Sequence, residues 1–120
     1  RGVGRTGAAG VLWACGRLQV TPREGEADAL LDCLLIDEGM ASKARHVQPQ
    51  ALVHGVWGAC HMEGVALSQK HRDAVLSHVS RLIKAGVMGT RHADALRASA
   101  AGAGLDPVQM EHVLTAGDTA

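Results

Sequence analysis

Phenylalanine and tyrosine are absent, and two tryptophans are the whole aromatic complement. A core of interlocking rings is therefore excluded. Leu, Val, Ala, Met and Cys must do the packing in a 120-residue chain that is 47% hydrophobic. That length allows one compact domain or a short array. Net charge is also missing, because 12 basic residues balance 12 acidic ones. A protein that holds nucleic acid by phosphate neutralisation alone is basic, so neutrality counts against strong autonomous binding. It leaves room for a local patch inside a larger assembly. The three cysteines, Cys15, Cys33 and Cys60, follow no framework spacing, which argues against a secreted disulfide scaffold. Each sits in an apolar helical stretch, where free Cys acts as a small hydrophobe. No apolar run is long enough for a transmembrane helix. Residue 1 is Arg rather than Met, so the chain is expected to be a processed form or a stretch of something longer. Any targeting peptide would lie upstream.

What the chain does contain is internal similarity. Val11 to Leu35, Gly55 to Ile83 and Ala95 to Leu114 line up as three copies of one unit. Trp13 and Trp57 anchor the first two, each after an aliphatic residue (Leu12, Val56) and before small ones (Ala14, Cys15, Gly16; Gly58, Ala59, Cys60). A basic or titratable residue follows (Arg17, His61), then an aliphatic one (Leu18, Met62). In the third copy Arg97 takes the Trp position, giving spacings of 44 residues from Trp13 to Trp57 and 40 from Trp57 to Arg97. A degenerate last copy is common at array ends.

The second half of each unit opens with a helix start signal. Thr21-Pro22-Arg23-Glu24 reads as a capping box, Asp106-Pro107-Val108-Gln109 repeats the design, and Ser68 is a weaker version. Apolar stripes of helical period follow: Ala27, Leu30, Leu31, Leu34 and Leu35, then Val75, Val79, Leu82 and Ile83. Arg81 and Lys84 ahead of Gly86 mark a helix C-terminus. Thr6, Pro49 and Thr90 are the expected starts of the first helices. No run alternates β-branched residues, so no strand is expected. The reading is all-α: six helices at about 7–19, 22–39, 49–63, 69–85, 91–102 and 107–116, with each first helix pairing with its second. A lone hairpin cannot bury its apolar face, so the hairpins are expected to stack as an α-solenoid, a slice of a longer array. The boundaries are a Gly-rich lead-in at 1–6, repeats at 7–46, 47–88 and 89–117, and a tail at 118–120.

Chemistry-bearing motifs are few. Gly2-Val3-Gly4-Arg5-Thr6-Gly7 ahead of a helix looks like the phosphate loop of tyrosine phosphatases. The Cys nucleophile that should lie six residues before the Arg falls outside the sequence, so a plain Gly-rich lead-in explains the segment better. Among the seven histidines, His54 and His61 share a helix face, as do His71 and His78. No CxxC, HExxH or His–carboxylate spacing accompanies them, so scattered surface or inter-helix histidines are expected rather than a metal centre. Nothing marks a nucleophile elbow for a Ser/His/Asp set. The remaining candidates are cations: Arg5, Arg17 with His61 at equivalent repeat positions, Lys43 and Arg45 beside His46 in the linker, and Lys70 and Arg72 at a helix start. Solvated helix faces are the bland explanation of each.

The core Leu12-Trp13-Ala14…Arg17-Leu18 resembles the helical repeats of the octotricopeptide-repeat proteins and their heptatricopeptide-repeat and FAST-kinase-domain relatives. The second copy matches at Val56, Trp57, Ala59 and Met62, with His61 in the basic position, and the third at Leu96, Ala98 and Ala100. The resemblance spans roughly residues 8–116. It implies a non-enzymatic RNA-binding subunit of an organellar ribonucleoprotein, foremost a mitochondrial ribosome and alternatively a plastid particle. It implies rRNA and neighbouring proteins as partners, with no cofactor, membrane or small-molecule substrate. Arg5, Arg17, Lys43, Arg45, His61, Lys70 and Arg72 become the RNA-contact candidates. A protein–protein scaffold without RNA contact is the alternative, and the neutral charge favours it.

Overall fold

The structure, a computed structural model, describes residues 5–23, 25–36, 47–62, 65 and 67–115. These form six helices and no strand: α1 (Arg5–Leu18), α2 (Glu26–Leu35), α3 (Pro49–His61), α4 (Gln69–Ala85), α5 (Thr90–Ala100) and α6 (Pro107–Thr115). The sequence signals explain most ends. Pro49 sits in the first turn of α3, where its missing N–H costs nothing. The Ser68 hydroxyl accepts from the His71 backbone N–H to cap α4, and Asp106 Oδ1 accepts from Val108 N–H at 3.0 Å ahead of α6. Gly86 closes α4 in the left-handed conformation, φ 75°.

Helix α2 departs from expectation. It starts at Glu26, not beside Pro22, because Gly25 adopts φ 87° immediately ahead of it. Glu26 Oε1 then accepts from Arg23 N–H at 3.1 Å, so Glu26 takes the capping role expected of Glu24. It ends at Leu35, short of the expected 39, because Ile36 is already extended at ψ 128°; positions 24 and 37–39 lie outside the described residues. Thr6 and Thr90 lie within the first turns of α1 and α5 rather than capping them.

Helix α1 packs on α3 and α3 on α5, while α2 packs on α4 and α4 on α6, giving a layer of odd-numbered helices against a layer of even-numbered ones. The end hairpins close as expected, α1 on α2 and α5 on α6. The middle unit does not: α3 packs closely on α1, α2 and α5, and α4 on α2 and α6. At the α2–α3 contact Leu34 fills the space that a Cβ on Gly55 would need.

The core is aliphatic: Leu12, Leu31, Leu34, Leu52, Leu67, Leu96, Val56, Val75, Val79 and Met110 are all buried. Cys15, Cys33 and Cys60 are half-buried at its margin, and none of the three forms a disulfide. Closest helix approach needs glycine. A Cβ on Gly16 of α1 would lie 2.7 Å from the Gly58 carbonyl oxygen of α3, and a Cβ on Gly58 would strike the Leu12 backbone. In the turn after α5, Gly102 meets the Cys60 side chain, whose Sγ fills the space a Cβ there would need. Arg97, the expected third counterpart of the tryptophans, lies within α5 and reaches α6, with Nε 2.7 Å from Glu111 Oε1. In the even layer the buried Leu31, Leu34 and Leu35 match the buried Val75, His78 and Val79 at the 44-residue shift that separates Trp13 from Trp57.

Candidate functional site

Helices α1 and α3 run parallel. Thr6 and Gly10 near the start of α1 border a cavity with Gln48 and Gln50 at the start of α3, while Gly16 and Gly58 meet further along. Parallel packing in the repeat register sets Trp13 beside Trp57. Their rings lie 6.3 Å apart, tilted by 39°. His54 sits 5.5 Å from Trp13, and the His61 ring stacks on Trp57 at 4.0 Å and 25°. The Arg17 guanidinium lies 5.3 Å over Trp13, within cation–π range.

Spacing along each helix explains the assembly. Trp13 and Arg17, and Trp57 and His61, are four residues apart and share a face. The imidazole of His61 donates from Nδ1 to the Trp57 carbonyl at 2.9 Å, which holds the ring flat against the indole. Arg17 and His61 are exposed, and both tryptophans and His54 are half-buried. The face therefore offers π-surfaces bordered by a cation. At its N-terminal end lies the cavity of about 410 Å³, lined by Thr6, Ala9, Gly10, Gln48, Gln50, Ala51 and His54. Its hydroxyl and amide groups can donate and accept hydrogen bonds.

Lys70 and Arg72 do not join this face. Lys70 Nζ lies 3.0 Å from Asp32 Oδ1 on α2. Arg72 donates to the Leu67 carbonyl at 2.9 Å and to Gln69 Oε1 at 2.8 Å. Both cations thus hold α4 together with its surroundings. Arg5 begins α1, but its side chain lies outside the described residues, as do Lys43 and Arg45.

Sequence reasoning missed a side-chain chain between α2 and α4. His71 Nε2 donates to Asp32 Oδ1 at 2.7 Å, and Ser68 Oγ lies 3.2 Å from His71 Nδ1. The order is Ser–His–Asp, yet the ring is 2% exposed and the same Ser68 oxygen caps α4. The chain works as an inter-helix staple. The bond to His71, and then the one to Lys70, hold the Asp32 carboxyl below its ordinary value. Two turns along, His78 Nε2 donates to the Leu35 carbonyl at 2.7 Å, closing the C-terminal end of α2. The spacing of His71 and His78 was legible as a shared face, but its partners were not. Elsewhere, desolvation pushes the Cys60 thiol up, and the Arg97 bond lowers Glu111.

Among the described residues no group of His, Cys, Asp and Glu side chains is gathered to hold a metal ion, and no helix is long and apolar enough to cross a membrane. No protein-family model, curated protein or solved structure matches the chain.

Proposed function

We propose that the chain is a slice of an α-solenoid that contacts RNA within an organellar ribonucleoprotein, foremost a mitochondrial ribosome. The role in this reading is non-enzymatic. The observation that carries it is the gathering of Trp13, Trp57, His54, His61 and Arg17 on one face of the odd-helix layer. Aromatic and guanidinium planes are the groups on which unpaired bases stack. The two-layer packing supports the repeat half of the proposal, since helices stacked in two layers share a continuous core that one hairpin alone cannot form. Zero net charge is consistent with a component whose contacts are local and shared with neighbours.

The test is fluorescence anisotropy with labelled single-stranded RNA across a salt series. Affinity is expected at low salt and to fall as salt rises. Trp57→Ala is expected to weaken binding by about fivefold or more, since stacking contributes about 1–3 kcal/mol per base. No affinity at low salt would rule out RNA contact by this chain. A protein scaffold is then the surviving reading, and an exposed apolar groove on α1 and α2 favours it.

A further inference from the structure

The stacked layers have an open end. Through the 44-residue register, the positions by which α3 and α4 meet the preceding helices project back onto α1 and α2. Gly55, packed under Leu34 and Leu12, maps to Val11, and Lys70, bonded to Asp32, maps to Glu26. Val11 and Glu26 belong to one groove of about 410 Å³, completed by Cys15, Pro22, Ala29 and Leu30. Along α1 the apolar stripe Val11, Cys15, Leu18 follows helical spacing, and Val11 is 42% and Leu18 70% exposed. The position that is filled at the α1–α3 and α2–α4 interface is thus bare one step earlier, with its charge reversed from Lys70 to Glu26.

We propose that this groove receives a further two-helix hairpin, stacked in the same register. It inserts an aliphatic side chain between Val11, Cys15 and Leu30, and sets a Lys or Arg opposite Glu26, where Asp32 stands opposite Lys70 at the next interface. Continuity with the interface already formed fixes the kind of partner, and Glu26 fixes its charge. The inference rests on the stacked-hairpin reading and not on RNA contact.

A chain extended by one hairpin provides the test. Residues 5–48 are duplicated ahead of residue 5, with Asp32→Lys and Cys15→Ser in the added copy. Alkylation of the resident Cys15, followed by peptide mass spectrometry, is expected to slow about tenfold or more. Cys33 and Cys60 are expected to react as before. Keeping Asp32 in the added copy, so that it faces Glu26, should restore fast alkylation. Circular dichroism reports whether the added copy is helical. A helical but non-protecting copy overturns the proposal, and so does one that stays unfolded. Concentration-dependent protection of Cys15 in the unextended chain would assign the groove to a second copy and overturn it too. Asp32 and His71 check the register separately. No coupling between them in a double-mutant cycle removes the stacked reading and the groove with it, whereas intact coupling with an unprotected Cys15 removes the groove proposal alone.

Discussion

His71 buries its imidazole between α2 and α4 and places Nε2 2.7 Å from Oδ1 of Asp32, 39 residues away in the chain. Its other nitrogen faces the Ser68 hydroxyl that caps α4. Helix initiation and inter-helix packing therefore meet in one ring. His71→Ala removes the ring's packing and strands Asp32 and Ser68. The expected cost is about 2–4 kcal/mol in urea denaturation, combining a cavity with lost hydrogen bonds. His71→Gln, which keeps a donor, is expected to lose less. An alanine variant with the parent midpoint would show that the staple contributes nothing.

The same contact sets an acid limb. Asp32 is held below its ordinary value first by the bond to His71 and then by the bond to Lys70. A carboxylate lowered in the folded state stabilises fully above its unfolded pKa, and that contribution is lost as pH falls through the folded one. Stability is therefore expected to hold through neutral pH and to drop below about pH 4. Glu111, lowered by its bond to Arg97, acts in the same direction. Asp32→Asn should lower the urea midpoint at neutral pH and flatten the acid limb. Equal acid sensitivity in parent and Asn variant would refute the assignment.

Two glycines in the odd layer should respond with opposite signs. A Cβ on Gly58 would run into the Leu12 backbone, whereas a Cβ on Gly10 would meet nothing within 4 Å. Gly58→Ala must push α3 off α1, at a cost of about 1–3 kcal/mol or more. Gly10→Ala lies inside α1 and is expected to stabilise by about 0.5–1 kcal/mol through helix propensity alone. Thermal melts of the two variants check this directly. A tolerated Gly58→Ala would mean the helices do not approach so closely.

Helix identity was legible because apolar period and caps are local: Pro49, Ser68, Gly86 and Asp106 each mark an end that the structure keeps. The start of α2 was misplaced because Thr21-Pro22 carries the composition of a cap, while the left-handed Gly25 decides where helical dihedrals begin. The third copy lacks the tryptophan: Arg97 lies within α5 and turns to Glu111 of α6, a pairing that local pattern leaves unspecified. Of the candidate site, Arg17 and His61 were visible as equivalent repeat positions. The engagement of Lys70 by Asp32 was not, since it joins residues from two helices whose facing sides a sequence pattern leaves unspecified.

That difference in engagement gives the cations separable roles. Arg17 is exposed and lies over Trp13, inside the aromatic face, whereas Lys70 and Arg72 are tied to Asp32, Leu67 and Gln69. Arg17→Gln should weaken RNA binding and reduce the slope of log affinity against log salt by about one, the loss of one phosphate neighbour. It should leave the melting curve nearly unchanged, as an exposed cation–π contact contributes about 0.5–1 kcal/mol. Lys70→Gln should do the reverse, with an unaltered salt slope and a stability loss of about 0.2–1 kcal/mol from an exposed ion pair. Anisotropy titrations at several salt concentrations, run beside urea melts of both variants, separate the two effects. Equal losses of affinity from both substitutions would mean that RNA follows the whole basic surface rather than the Trp13–Trp57 face.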